Sequence, residues 1–279
     1  MGNEIVRFAE YRLYDAKKID ASNAMMGLLA GAQMASHLLQ LTEGSETRLP
    51  DVFPQVQHVK PFNVPTETVR QVLQSADNHL GAISVPYSLE LHEDFLKTCV
   101  DLLVRGRMMT PAQALSKTTL AVLHSAIEEA TGESFSPDSI IQVDTLRLMR
   151  SCMIHNGGRA DQALVDQIGR WTPSAEARWV KLTKSSLRGL AVGDPVQFGH
   201  AELILCLAVT KSLARQANRI LRDALPRPLW ATMVVEDVLS EHPRSSPHQL
   251  ERLVYGQARR HYKPLQLTEA ELSTAIAAR

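Results

Sequence analysis

The sequence contains few cysteines and few aromatic residues. Aromatic residues make up 5% of the 279 positions, and the three cysteines, Cys99, Cys152 and Cys206, stand far apart along the chain. This spacing excludes a disulfide framework and the closely paired ligands of a zinc site. We therefore expect free, buried thiols, no metal or other cofactor, and a reducing compartment such as the cytoplasm.

Net charge is also absent, because 30 basic residues balance 30 acidic ones. The balance conceals an asymmetry, since residues 1–144 carry a net charge of −7 and residues 145–279 carry +7. Eight of the basic residues fall in 145–190, against three acidic ones. A local basic surface attracts polyanions such as RNA. The alternative is that the two halves neutralise each other, within the fold or between protomers.

The sequence lacks a hydrophobic run long enough to span a bilayer. The apolar segment 24–41 is interrupted by polar residues and is short for a membrane helix. Acidic residues precede it, so we expect no signal peptide and no membrane partner. Within the segment, Gly27, Gly31 and Ala35 recur every four residues. This pattern predicts a helix packed closely against another helix, and a membrane dimerisation motif is the less favoured alternative.

Signals for helices occur throughout the chain. Alanine and leucine are abundant, which favours helix over sheet, and capping boxes begin at Thr110, Ser246 and Thr268. We predict an all-α helical bundle with one small β-hairpin, placed in 187–198 around the turn at Asp194. The predicted helices lie near 4–18, 22–41, 66–82, 87–105, 111–131, 138–156, 160–170, 199–224, 229–241, 247–261 and 269–278.

The chain divides by composition into three parts. Residues 1–64 form an N-terminal helical extension that ends in a proline-rich linker, residues 65–225 form the main helical domain, and residues 226–279 form a C-terminal helical region. In the last part, 250–263 is a basic amphipathic stretch. It suits nucleic acid or a protein partner, although a solvated helix face is the simpler interpretation.

The helix predicted over 138–156 differs from the others. Apolar residues lie nearly all round it when it is projected at about 100° per residue, so it should be buried. Polar residues nevertheless form one narrow stripe with an arginine beside it: Asp144, Arg147, Ser151 and His155, and beside them Arg150. Because charged groups are costly to bury unless they are paired or line a wet cleft, such a stripe indicates a functional site.

The end of this helix has both a structural and a functional interpretation. His155 is followed by Asn156, Gly157 and Gly158. In the structural interpretation, the histidine stabilises the C-terminal end of the helix dipole and the glycines terminate the helix. In the functional interpretation, His155 serves as an acid or a base in catalysis.

Arg150, four intervening residues and His155, followed by Asn-Gly-Gly, resemble the Arg-x(4–6)-His motif of the HEPN superfamily. Segment 87–103 is similar to the early helix of such domains, where an acidic residue precedes a bulky apolar pair. Segment 190–198 resembles the turn before their final helix. The resemblance covers 66–225 and departs from the family at the residue after the arginine, which is often asparagine and here is Ser151.

Many HEPN proteins are metal-independent endoribonucleases that act as toxins or antiphage effectors, and they build one cleft across a two-fold dimer. The resemblance therefore implies that Arg150 and His155 are catalytic. It implies a homodimer whose partners are RNA and an antitoxin or other regulatory protein. The supporting residues are Glu93, which would orient Arg150, Ser151 in the polar position after the arginine, and Arg147 and Asn156 as auxiliary RNA contacts. The alternative for Arg147 is a pair with Asp144 or with Ser151. The simpler interpretation of Glu93 is a surface carboxylate beside a core histidine.

The residue types suit RNA cleavage by the 2′-hydroxyl. A histidine titrates near neutral pH and serves as acid or base, and an arginine binds two phosphate oxygens. On an ideal helix Arg150 and His155 lie about 7.5 Å apart along the axis and about 140° apart around it. One helix therefore does not direct both at the same phosphate. Either fraying at 156–158 swings His155 round, or two copies pool their residues.

Other functions remain open on the sequence alone. One is a non-catalytic helical module that binds RNA, a nucleotide or a protein, and another is a DNA-binding regulator that uses the basic C-terminal helices. A thiol enzyme built on Cys152 and His155 lacks an orienting third group. His124 and Glu128 hint at a carboxylate metal site, but the paired pattern of a di-iron bundle is absent.

Overall fold

The computed structural model describes residues 5–278, which form an all-α fold, as predicted. This range contains no β-strand, and none of its helices is long and apolar enough to cross a membrane. The α-helices are α1 (Ala9–Leu39), α2 (Leu49–Val52), α3 (Thr66–Gln74), α4 (Ala76–Arg105), α5 (Pro111–Leu115), α6 (Leu120–Thr131), α7 (Pro137–His155), α8 (Gln162–Gly169), α9 (Pro173–Thr183), α10 (His200–Ala224), α11 (Arg227–Glu241), α12 (Pro247–His261) and α13 (Glu269–Ala277). Short 3₁₀-helices cover Gln40–Thr42 and Lys263–Leu265.

Most predicted helices are confirmed, with five differences. The helices expected near 66–82 and 87–105 instead divide at Ser75, so that α4 is continuous from Ala76 to Arg105 and contains Pro86. The short helix α2 lies in a segment that was expected to be irregular. The helices expected near 4–18 and 22–41 form the single helix α1, because no proline or glycine separates them; residue 4 lies outside the described residues. The helix expected over 111–131 is interrupted between α5 and α6. Helix α9 was not predicted, although Thr172 caps its start by accepting a hydrogen bond from the Ala175 amide at 3.0 Å.

The predicted β-hairpin in 187–198 is wrong. This segment forms turns, and its backbone pairs with the connection that follows α7 rather than with itself. The Val196 amide donates to the Gly158 carbonyl at 2.7 Å, and the Ala160 amide donates to the Asp194 carbonyl at 2.9 Å. A single antiparallel bridge, between Arg159 and Pro195, results.

The described residues form two compact units that are each discontinuous in sequence. One contains residues 5–18, 89–144 and 208–278, and the other contains 19–88 and 145–207. We call them the first and the second unit. The division into 1–64, 65–225 and 226–279 stays a prediction.

The first unit is built around the buried carboxylate of Asp237 on α11. Arg12 of α1 donates two hydrogen bonds to it at 2.8 and 2.9 Å, Gln257 of α12 donates one at 2.9 Å, and the Tyr262 hydroxyl donates one at 3.1 Å. Burial alone raises the pKa of this carboxyl. The hydrogen bonds from Arg12, Gln257 and Tyr262 outweigh burial, so the pKa of Asp237 lies below its ordinary value.

The second unit has its own core around two tryptophans. The rings of Trp171 and Trp179 lie 5.0 Å apart, and the Trp171 indole donates to the Thr145 hydroxyl at 3.0 Å. Gly81 of α4 lies against the carbonyl of Phe198, where a Cβ atom would stand 2.5 Å from the oxygen. Position 81 therefore requires glycine.

The predicted close packing at Gly27 and Gly31 is not found. A Cβ atom at either glycine would have no described heavy atom within 4 Å, apart from its own helix backbone. The same face of α1 exposes Leu28, Met34 and Leu38, at 61%, 69% and 50%. The glycine pattern instead marks an apolar face that residues 5–278 leave uncovered.

Asp237→Asn is expected to lower the free energy of unfolding by on the order of 2–3 kcal/mol, because it leaves the partly buried Arg12 with only the more distant and exposed Glu241, at 3.5 Å, as a counter-ion. Urea unfolding at pH 7 measures this. Since the folded pKa of Asp237 is lowered, its contribution is present above the ordinary carboxyl pKa and is lost as pH falls through the folded value. The variant should therefore differ less from the wild type in strong acid.

Glu236→Gln is the matched control for Asp237→Asn. Glu236 is the neighbouring residue on α11, and its ion pair with Arg105, at 2.7 Å, is solvent-exposed on both sides. Exposed pairs contribute at most about 1 kcal/mol. Equal losses in the two variants would contradict the central role of Asp237.

Candidate active site

Helix α7 is buried along most of its length, as predicted. Every residue from Asp138 to Met153 is buried or half-buried, and only Ile154 and His155 at the end are exposed, together with Pro137 at the start. The apolar residues that the wheel distributes all round the helix account for this burial. The helix therefore leads from a packed interior to a solvent-exposed end.

The predicted polar stripe changes in exposure along α7. Arg147, Arg150 and Ser151 are half-buried, whereas His155 and Asn156 are exposed. The imidazole of His155 makes no hydrogen bond or ion pair with any residue in 5–278. Of the two residues predicted to be catalytic, the histidine is thus open to a ligand, whereas the arginine is half-buried in the packed part of the helix.

The C-terminal end of α7 is regular and firmly capped. The amides of Asn156 and Gly158 both donate to the Cys152 carbonyl, at 3.0 and 3.1 Å. Gly157 and Gly158 have φ values of +59° and +75°, a backbone conformation that other residues adopt at a cost. His155 is held in helical geometry, and the calculated separation of about 140° from Arg150 around the axis therefore applies.

The connection after α7 is fixed by side chains as well as by backbone pairing. Asn156 donates from its amide group to Asp161 at 3.2 Å, and the other oxygen of Asp161 caps α8 by accepting from the Leu164 amide at 2.9 Å. Arg159 is exposed and donates to the Gly193 carbonyl at 2.9 Å. These contacts give Asn156 and Arg159 a structural role beside any role in binding.

Glu93 lies in the first unit and has partners there. Its carboxylate accepts a hydrogen bond from the Leu120 amide at 2.9 Å and pairs with Lys97 at 2.9 Å. It therefore caps the start of α6. The orientation of Arg150 by Glu93 stays a prediction.

The core histidine next to Glu93 belongs to a buried pair. The Nε2 atoms of His92 and His124 lie 3.1 Å apart, and the Nδ1 atom of His92 has no hydrogen-bond partner within the described residues. Burial lowers the pKa of His124 to about 4, and burial also lowers the pKa of His92 well below its ordinary value. Both rings are neutral at physiological pH. Of the two ring nitrogens of the core residue His92, only Nε2 has a hydrogen-bond partner within the described residues.

The structure disfavours two alternative chemistries. Cys152 is buried and burial raises the pKa of its thiol, whereas a nucleophilic cysteine needs a lowered value. Glu128 accepts from the Phe135 amide at 2.8 Å rather than facing a histidine-based site. Across residues 5–278, no group of three or more His, Cys, Asp or Glu side chains is placed to hold a metal ion.

The basic segment 145–190 contributes exposed cations to the second unit. Arg170, Arg178 and Lys181 are exposed, and their side chains form no ion pair within the described part of the chain. Arg188, by contrast, pairs with Glu176. The asymmetry of charge seen in the sequence therefore survives in part as unpaired positive charge on this unit.

No protein-family model, curated protein or solved structure matches this chain. The membership of the HEPN superfamily therefore stays a prediction, and the residues of α7 and its flanking segments are the observations that support it.

Gly157→Ala is expected to lower the free energy of unfolding by about 1 kcal/mol, because alanine at a φ of +59° is strained. No described side chain lies within 4 Å of the added methyl group, so strain is the only cost. Gly157→Asn should lose less, since asparagine tolerates this conformation. Chemical unfolding of the three proteins measures the order.

Gly169→Ala provides the control, because Gly169 ends α8 with space around it and without a positive φ. It should be neutral or slightly stabilising. If Gly157→Ala behaves in the same way, the left-handed cap does not hold the end of α7.

Proposed function

We propose that this protein is a metal-independent endoribonuclease in which Arg150 and His155 act at the end of α7. The observation that carries the proposal is the exposed, unengaged imidazole of His155 on the last turn of a buried helix, five residues after Arg150. The exposed cations of the second unit supply a surface that attracts RNA. A toxin or antiphage role in the cytoplasm completes the proposal.

The chemistry uses the RNA's own 2′-hydroxyl as the nucleophile. A histidine removes its proton, the oxygen attacks the neighbouring phosphorus, and the 5′-oxygen leaves with a proton from a second acid. The products are a 2′,3′-cyclic phosphate and a 5′-hydroxyl. Arg150 is always charged and binds two of the phosphate oxygens, whose charge increases in the transition state.

The geometry of α7 favours a composite site made by two copies of the chain. Because the helix remains regular through His155, fraying does not bring this residue round to the side of Arg150. A two-fold dimer instead brings two histidines and two arginines to one cleft. One His155 then acts as the base and the other as the acid, which a single copy does not provide.

The uncovered face of α1 supports self-association. Leu28, Met34 and Leu38 are exposed at 61%, 69% and 50%. No Asp, Glu, Lys or Arg occurs between residues 21 and 42. Monomeric proteins rarely leave such a contiguous apolar surface in water, and an uncharged face is complementary to itself.

Arg150→Ala and His155→Ala are each expected to reduce RNA cleavage at least about 100-fold, the usual loss for an essential acid–base group or phosphate-binding cation. Purified proteins are incubated with total RNA in EDTA, and product ends are assayed for cyclic phosphate. His79→Ala and Lys60→Ala are the matched controls, because both residues are exposed in the second unit and lie outside α7 and outside the basic segment 145–190. Both should retain activity.

Three results would contradict the ribonuclease assignment. Equal cleavage by all variants would indicate a contaminant or another site, and loss of activity in EDTA would indicate a metal enzyme. No cleavage by a folded, dimeric wild type would favour the alternative function, a non-catalytic module that binds RNA, a nucleotide or a protein partner such as an antitoxin.

Met34→Glu is expected to shift the protein from dimer to monomer and to reduce cleavage in parallel, because it places a charge in the uncovered face of α1. Light scattering gives the mass and the RNA assay gives the activity. Leu115→Glu is the control, since Leu115 is 80% exposed on α5. A monomeric wild type with full activity would rule out the composite site.

A further inference from the structure

Helix α12 has one buried face and one basic face. Its buried residues are Leu250, Val254 and Ala258. Arg252 and Arg259 lie on the opposite, exposed face, two turns or about 10 Å apart along the axis. Lys263 is exposed just beyond the end of the helix. Together with Tyr255 and Gly256 between them, these residues form what we call the α12 track.

The cations of the α12 track are not neutralised by neighbouring carboxylates. The side chains of Arg252, Arg259 and Lys263 make no hydrogen bond or ion pair within residues 5–278. Elsewhere in the same unit, arginines such as Arg227 are paired, in that case with Glu271. The nearby carboxylates are Glu241, Glu251 and Glu269, and the first of these already lies 3.5 Å from Arg12. Unpaired cations in a line attract a linear polyanion.

Two concave pockets open along the α12 track. One, of about 430 Å³, is lined by His242, Arg244 and Arg252 at the start of the helix. The other, of about 380 Å³, is lined by Tyr255, Arg259 and Lys263 above a floor that includes Ala258 and Leu272. Either volume admits a flat heterocycle, and the second combines an aromatic ring with two cations.

The ring of Tyr255 has a fixed position. It is half-buried, and its hydroxyl lies 3.0 Å from the Ser273 hydroxyl on α13 and 3.5 Å from Glu251. An anchored ring is a suitable platform for stacking a nucleic-acid base, because little side-chain freedom is lost on binding.

Gly256 has no packing role in the fold. It is exposed in the middle of α12, and a Cβ atom there would meet nothing within 4 Å outside its own helix backbone. Glycine in a helix interior lowers stability relative to alanine. The missing side chain leaves a shallow surface beside Arg252, Tyr255 and Arg259, with room for the close approach of a ligand's backbone.

We propose that the α12 track binds single-stranded RNA. Phosphates lie along Arg252, Arg259 and Lys263, the sugar–phosphate backbone passes over Gly256, and an unstacked base lies against Tyr255. The choice of RNA rests on the proposed ribonuclease function, whereas the preference for a single strand rests on the pockets and Tyr255. A duplex keeps its bases stacked, so it offers no base to this ring.

The test measures binding of a fluorescent 2′-O-methyl oligonucleotide, which has no free 2′-hydroxyl and is not cleaved. Arg252→Ala and Arg259→Ala should each weaken binding and reduce the dependence of log Kd on log salt by about one. Tyr255→Ala should weaken it roughly 5- to 100-fold, and Tyr255→Phe should keep most of the affinity. Arg219→Ala, an exposed and unpaired arginine on α10 of the same unit, should have no effect.

Gly256→Gln separates binding from stability. It is expected to raise Tm, because glutamine is the better helix former, while weakening oligonucleotide binding through steric obstruction. A melting curve accompanies every variant. If Gly256→Gln binds as wild type does, the close approach at position 256 is wrong.

The proposal is overturned if Arg252→Ala and Arg259→Ala bind with the affinity and salt dependence of Arg219→Ala. It is also overturned if Tyr255→Ala matches wild type, or if a duplex of equal length binds as tightly as the single strand. If binding depends on the α12 track but the wild type does not cleave RNA, the proposed ribonuclease function is wrong and the proposed RNA-binding role of the α12 track is retained. If cleavage requires His155 but binding does not depend on the α12 track, the ribonuclease function is retained and the RNA-binding role of the track is wrong.

Discussion

A buried carboxylate sets the strongest constraint on the first unit. Asp237 would be costly to bury as an anion without donors, and the fold meets this cost with Arg12, Gln257 and Tyr262. Arg12 is separated from the other two donors by more than 200 positions along the chain. The core of the first unit therefore forms only when segments near both ends of the described chain come together. The exposed face of α12 is the one opposite these contacts.

Local sequence signals predicted local structure well. The capping boxes at Thr110, Ser246 and Thr268 all form, because their hydrogen bonds join residues only three apart. Thr172 and Pro173 carry a related signal, which would have predicted α9. The hairpin expected around Asp194 was wrong because β-prone segments do not specify a partner. Here the partner is the chain after α7, over thirty residues away.

In the candidate site, too, the features that depend on nearby residues were predictable and those that depend on distant residues were not. The wheel of α7 predicted its burial, and the glycines predicted its end, since both depend on the helix itself. The partners of Glu93 were not predictable, because the Leu120 amide is 27 residues away. The glycines of α1 show a related limit. Small residues indicate that a close approach is possible, but they do not indicate whether the partner belongs to the same chain.

The regular end of α7 links the chemistry to assembly. Had the helix frayed at Asn156, His155 would be free to turn toward Arg150, and one chain would suffice for a site. The bonds from Asn156 and Gly158 to the Cys152 carbonyl hold the histidine in the helix instead. A catalytic role for both residues then requires a second copy of the chain. The uncharged, uncovered face of α1 is an apolar surface whose exposure to water is unfavourable, and it is therefore suited to contact that second copy. Helix geometry thus makes dimerisation a condition of the proposed reaction rather than an addition to it.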